Sequence, residues 1–119
     1  MKTVFEKIRD REVPATFLYE DDDVMAFPDI DRSTPVHVLI VPKKRIVSIA
    51  EMEDGDEVIV GKMFRVARDV ARDLKISEKG YKLLFRVGEH GGQEVPHLHL
   101  HLFGGARLSE GIRPVGKGK

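Results

Sequence analysis

Apolar residues recur at spacings of three and four between Asp54 and Leu74. Val60, Met63, Phe64, Ala67, Val70, Ala71 and Leu74 fall on one side of a helix, and Arg65, Arg68, Asp69 and Arg72 on the other, so this stretch predicts the one long helix. Its basic side reads as a solvated surface rather than a phosphate site. Elsewhere the period shortens to two. Val36-His37-Val38-Leu39-Ile40-Val41 is a mostly β-branched run stopped by Pro42, which predicts a central strand. Thr16–Glu20 and Val24–Phe27 flank Asp21-Asp22-Asp23 and predict a hairpin, ended by Pro28 and Asp29. Tyr81, Leu83, Phe85 and Val87 alternate with Lys82, Leu84 and Arg86 and predict a strand. Pro96 opens a last predicted strand, which Gly104-Gly105 ends. Thr3 followed by Glu6 has capping-box spacing and predicts a short helix over 3–10, with Val4, Phe5 and Ile8 on one face. Residues 31–35 read as a polar loop and 88–92 as a glycine-rich one.

The order is therefore α-ββ-β-α-ββ with short links. It implies an α+β fold with a five-stranded antiparallel sheet, one long helix and one short one. One domain is expected over residues 1–108. The tail over 109–119, with three glycines and a proline, is expected to be flexible.

Composition narrows the function. The 119 residues suffice for a single core. Lysine plus arginine balances aspartate plus glutamate at 20 each, which argues against a partner held by a broad basic surface, as nucleic acid is. There is no cysteine, so thiolate metal sites and disulfides are excluded. No apolar run approaches the roughly 20 residues of a membrane span, and Met1 to Glu6 lacks a signal-peptide core. A cytoplasmic protein with no membrane partner is expected.

The most unusual pattern is His97-Leu98-His99-Leu100-His101-Leu102, which holds three of the five histidines. On a strand the leucines enter the core and the imidazoles share the opposite face. Three readings compete. A metal is disfavoured, because i and i+4 on a strand lie about 13 Å apart, so a third ligand such as His37 or His90 would be needed. A solvated polar face explains one histidine better than three in register. The third reading is nucleophilic and acid–base chemistry, since neutral imidazole attacks while its neighbours supply protons or hydrogen bonds. Phosphoryl transfer suits such a row, and spacing alone makes the central His99 the nucleophile candidate. His37, taken alone, reads as a core residue, Asp29 as a turn residue and His90 as an exposed one.

His97-Leu98-His99-Leu100-His101-Leu102-Phe103 resembles the histidine-triad motif, His-φ-His-φ-His-φ-φ with φ apolar. Phe27-Pro28-Asp29-Ile30 and Pro35 to Lys44 resemble the nucleotide-pocket segment of the same superfamily. Gly91-Gly92-Gln93-Glu94-Val95 and Gly104-Gly105 resemble its histidine triad nucleotide-binding (HINT) branch. The likeness spans roughly residues 4–108. It implies a HIT-like fold and a homodimer with a continuous ten-stranded sheet. It also implies hydrolysis of purine nucleoside 5′-phosphoramidates or acyl-adenylates through a nucleotidyl-histidine, with no cofactor and no metal. By resemblance His99 is the nucleophile and His101 polarises the α-phosphate. His97 and His37 orient groups or relay protons, and Asp29 holds the ribose hydroxyls. Phe5, Ile8, Phe27 and Ile30, with Val4, wall the base pocket, while Arg86, Gly92, Gln93, Glu94 and Val95 complete the nucleotide-binding set.

Three departures bear on the substrate. Arg86 replaces an asparagine carried by many members, and an arginine there either reaches an acidic leaving group or points away. Glu94 stands where some members have serine, and a carboxylate donates no hydrogen bond to phosphate unless protonated. The tail lacks the Trp-Pro-Pro ending of some animal members. Two other functions remain open: a dinucleoside polyphosphate hydrolase, which Gly104-Gly105 argues against, and a nucleotide-sensing scaffold with little turnover, which the intact histidines argue against.

Overall fold

A computed structural model describes residues 1–31 and 33–116. The short helix α1 spans Val4–Arg9. It is held by the expected capping box, in which Thr3 Oγ1 accepts from the Glu6 amide at 3.2 Å and Glu6 Oε1 accepts from the Thr3 amide at 2.9 Å. The strands are β1 (Tyr19–Glu20), β2 (Val24–Pro28), β3 (Val36–Pro42), β4 (Lys82–Leu84) and β5 (Leu100–Gly104). The long helix α2 spans Asp56–Asp73. All strand pairs are antiparallel, in the order β1-β2-β3-β5-β4. The expected α+β class, five-stranded sheet and two helices are all present.

Alternation divides this sheet into two unlike faces. Val24 and Ala26 of β2, Val38 and Ile40 of β3, and Leu100 and Leu102 of β5 pack on Met63, Val66, Ala67, Val70 and Ala71 of α2. The intervening residues point the other way. Met25, Phe27, Leu39 and Val41 meet Phe5 and Ile8 of α1. His37 and His101 share that second parity on β3 and β5, whose register pairs Leu39 with His101 and His37 with Phe103. The basic side of α2 is a solvated surface, where Arg65, Arg68 and Arg72 all approach Asp69.

Several boundaries differ from the expected ones. The last strand begins at Leu100, not Pro96. Pro96 has no amide proton, the His97 amide turns back to the Val95 carbonyl at 2.8 Å, and the Leu98 amide donates to the Ile46 carbonyl at 2.6 Å. Residues 95–97 therefore form a bend, and only His101 of the three histidines lies in the ladder. The strand expected over 81–87 is confined to 82–84. Its continuation feeds the loop at Gly88, whose carbonyl accepts from Gly91 at 3.2 Å and Gln93 at 3.0 Å. The 16–20 strand is reduced to Tyr19–Glu20, although the Leu18 amide still reaches the Ala26 carbonyl at 2.8 Å. Helix α2 starts two residues late because Gly55 takes a left-handed conformation at φ 93°. A single 3₁₀ turn at Ile49–Glu51, capped by Ser48, carries no periodic signal in the sequence. Val4 shares a face with Phe5 and Ile8, as expected, but is more exposed than either. Arg32, within the expected loop, and 117–119, within the expected tail, lie outside the described residues.

Candidate active site

The face beneath α1 opens into a cleft with two lobes. One is apolar, about 420 Å³, and lined by Phe5, Ile8, Phe27 and Leu39, with Pro14 and Ala15 behind them. The other, about 610 Å³, is lined by His37, His99, His101, Arg86, Gly92 and Glu94, with Val95 and Phe103. Val4, Phe5, Asp29, Ile30 and Leu39 line both lobes and join them. Ile30 stands almost wholly exposed at the rim.

Hydrogen-bond partners fix where the histidine protons sit. A carbonyl oxygen only accepts, so the nitrogen facing it carries the proton. His99 Nδ1 lies 2.7 Å from the His97 carbonyl, which places its proton on Nδ1 and leaves a lone pair on Nε2. His37 Nδ1 donates to the Asp31 carbonyl at 3.0 Å, so neutral His37 offers a lone pair at Nε2. His101 Nδ1 donates to that atom at 2.9 Å. His101 Nε2 is then itself a lone pair, and it is buried without a hydrogen-bond partner among the described residues. Asp29 Oδ2 lies 3.4 Å from His37 Nε2, close enough to balance a proton added to the His37–His101 pair.

His97 differs from the other three. It is wholly buried and lines neither lobe. Its Nε2 donates to the Pro42 carbonyl at 2.8 Å and its Nδ1 accepts from Thr3 Oγ1 at 3.1 Å. Both nitrogens are occupied, so His97 has an orienting position and no free route for a proton. Thr3 thus serves twice, as helix cap and as the partner that fixes His97. Capping spacing reveals the first use; the second joins residues 94 apart and has no local signal.

Packing holds the rings in place. Phe5 sits edge-on to His97 and His99, with centroids 5.6 and 5.0 Å away. Phe103 stacks on His37 at 4.3 Å and on His101 at 5.4 Å. Burial holds His97 and His99 below the ordinary imidazole pKa. His101 is pushed down to about 3, first by burial and then by the charges of His99, His37 and Arg86. His99 therefore keeps its Nε2 lone pair below neutral pH.

Not every expected residue reaches the cleft. Gln93 turns away: its Nε2 donates to the Val47 and Val95 carbonyls at 2.6 and 3.0 Å, and its Oε1 accepts from the Gly88 amide at 3.0 Å. It braces the loop instead of lining the site. His90 is exposed and lines neither lobe. Leu39 and Phe103, which line the cleft without having been expected there, occupy ordinary strand positions and carry no chemical signal.

The donors closest to a metal-binding arrangement are Asp29, His37 and His101, with one ligand atom each within 4.8 Å of the others. Two of these nitrogens are 2.9 Å apart and share a proton. Zinc at 2.0–2.1 Å from each would hold tetrahedral ligands about 3.3 Å apart and would have to displace that proton.

Known proteins share this fold. The HIT domain family matches residues 10–108. Purine nucleoside phosphoramidase of Escherichia coli K12 is 42% identical over 107 residues, covering 90% of each chain. A HIT family hydrolase from Clostridium thermocellum superposes with a TM-score of 0.89 at 44% identity, covering 94% of this chain and 97% of its own. One from Legionella pneumophila does so with a TM-score of 0.89 at 40% identity, covering 94% and 100%. Among the described residues no helix is long and apolar enough to cross a membrane. The relatives' names support a hydrolase and, for the phosphoramidase, the HINT-type branch. The chain belongs to the histidine triad (HIT) superfamily.

Proposed function

We propose that this chain hydrolyses purine nucleoside 5′-phosphoramidates, and acyl-adenylates by the same route, through a nucleotidyl intermediate on His99. The observation that carries this reading is the tautomer of His99. The His97 carbonyl holds the proton on Nδ1, which leaves the Nε2 lone pair for attack at the histidine lobe. The apolar lobe suits a purine between Phe5, Ile8, Phe27 and Ile30. Asp29, shared by both lobes, suits the ribose hydroxyls, since a carboxylate accepts from both.

His101 then polarises the phosphoryl group. Its neutral Nε2 only accepts and burial keeps the free ring unprotonated, so binding a phosphoryl oxygen requires the substrate's own negative charge to bring one proton onto the His37–His101 pair, with Asp29 adding to that balance. His99 Nε2 bonds to phosphorus as the P–N bond breaks. The leaving nitrogen takes that proton and departs as the neutral amine. Water attacks phosphorus, returns a proton to the pair and releases His99, giving the nucleoside monophosphate. Direct contact with the reacting group falls to His99 and His101, while His37 and His97 are positioning residues. Arg86, Gly92, Glu94 and Val95 border the phosphate end, with Gln93 bracing their loop.

The same reading includes a homodimer with a continuous ten-stranded sheet. β4 is an edge strand, and half-exposed Phe64 stands edge-on to Phe85 beside it. Sedimentation should give twice the chain mass. The functional test is His99→Ala, which should bind adenosine monophosphate yet lose turnover of adenosine phosphoramidate. Wild-type turnover in that variant defeats the reading. Turnover of diadenosine polyphosphates in preference to phosphoramidates would favour the other hydrolase activity instead.

A further inference from the structure

The histidine lobe contains a cationic side chain that proton transfer at His99 and His101 does not require. Among the described residues four charged side chains line it, and three of them, Asp29, Asp31 and Glu94, are acidic. Arg86 is the one cationic side chain lining the lobe among the described residues. It is half-buried, and no carboxylate of the described residues forms an ion pair with it. A half-buried guanidinium with five donors and no acceptor partner is suited to an anion.

The surrounding loop fixes its position. Arg86 follows β4 and leads into residues 88–92. Gly92 has φ 80°, and a Cβ built on it would stand 3.6 Å from Arg86 Nη1 and 3.8 Å from Cδ. The guanidinium thus lies along the Gly92 backbone. At Gly91 a side chain would collide with the Val87 carbonyl, so the loop is compact beneath it. Gln93 ties this loop to Val47 and Val95.

The order of groups along the cleft says which part of a substrate Arg86 meets. Arg86, Gly92 and Glu94 line only the histidine lobe, whereas Ile8, Phe27 and Pro14 line only the apolar one. With the base in the apolar lobe, the ribose at Asp29 and phosphorus at His99, the remaining space leads to the Gly92 loop. An in-line displacement sends the leaving group to the side opposite the attacking nitrogen.

Resting on the reading above, we propose that Arg86 makes this site selective for leaving groups that carry an anion, a carboxylate or a phosphate, on the amine. The guanidinium binds that anion as a paired donor. Glu94, on the same side, disfavours a dianion relative to a carboxylate.

Binding to a His99→Ala background tests this without turnover. Three ligands are compared by calorimetry: adenosine 5′-phosphoramidates N-linked to glycine, to glycinamide and to aminomethylphosphonate. The glycine ligand should bind about tenfold tighter than the glycinamide ligand. Arg86→Gln should bring that ratio to within about twofold, and Arg86→Lys should keep part of it. Rank order between glycine and phosphonate ligands identifies which anion the site takes. Equal affinity for the charged and neutral ligands, a ratio unmoved by Arg86→Gln, or no binding of any of the three overturns the proposal. Should the wild-type protein turn over none of them while the glycine ligand still binds tightest, the phosphoramidase reading fails and anion selection stands.

Discussion

The two faces of the sheet are made from the same strands and do different work. On the α2 face β3 and β5 bury Val38, Ile40, Leu100 and Leu102. One residue along, on the α1 face, the same strands present His37, His101 and Phe103 to a cleft. The side-chain period of two lets adjacent residues serve opposite ends, the leucines for packing and the histidines for the proposed chemistry. Stability and catalysis should therefore separate when neighbours are mutated one at a time.

The largest effect expected is on turnover. His99→Ala should lower kcat for adenosine phosphoramidate at least about a thousandfold, as removal of a nucleophile does. Its unfolding midpoint should move little, because the ring spans the cleft wall and not the α2 core. Leu100→Ala, one residue on, should do the reverse. Deleting a fully buried leucine costs about 2–5 kcal/mol in denaturant unfolding, while the folded fraction keeps its kcat. A Leu100→Ala protein that is stable but inactive would erase the division between the faces.

Thr3→Val sharpens the comparison, because Thr3 touches both functions. Losing the helix cap and the His97 contact should cost about 1–2 kcal/mol and lower kcat modestly, with KM little changed. An unchanged kcat would show that His97 orientation does not reach His99. The last expected effect is on pH dependence. His97, His99 and His101 bind protons less readily in the fold than in the unfolded chain, where histidine titrates near 6.5. Below that pH the unfolded state holds more protons, so stability present above 6.5 is lost as pH falls toward about 3 for His101. Each histidine contributes up to about 1.4 kcal/mol per pH unit, measurable by denaturation at successive pH values. Stability that rises on acidification over this window would contradict the buried, neutral placement.

What the sequence made legible follows the same division. The leucine–histidine alternation gave the two faces, and the 60–74 periodicity gave α2. Thr3 and Glu6 gave α1 and its cap. Strand limits were hidden because pairing, not propensity, ends a strand. Pro96 looked like a strand opening, yet Leu98 is bonded to Ile46 in a distant loop, which only the folded chain reveals. His97, His99 and His101 look equivalent in sequence, and their differences come from their partners, the Pro42 carbonyl, the His97 carbonyl and His37 Nε2, which composition does not encode. The set of potential metal donors is not legible from the histidine row for a related reason. The closest donor cluster takes His37 from another strand and Asp29 from the end of β2. The resemblance puts Gln93 among the nucleotide contacts, and its amide instead holds the neighbouring loop closed.

The central claim is a covalent bond between His99 Nε2 and phosphorus. Wild-type protein mixed with excess adenosine phosphoramidate, quenched within a few turnovers and digested for mass spectrometry, tests it directly. An adenylyl group is expected on the peptide containing His99, formed in a burst approaching one per chain and absent in His99→Ala. Full-rate hydrolysis with no adduct on any residue, or an adduct on His101 that survives in His99→Ala, would contradict it.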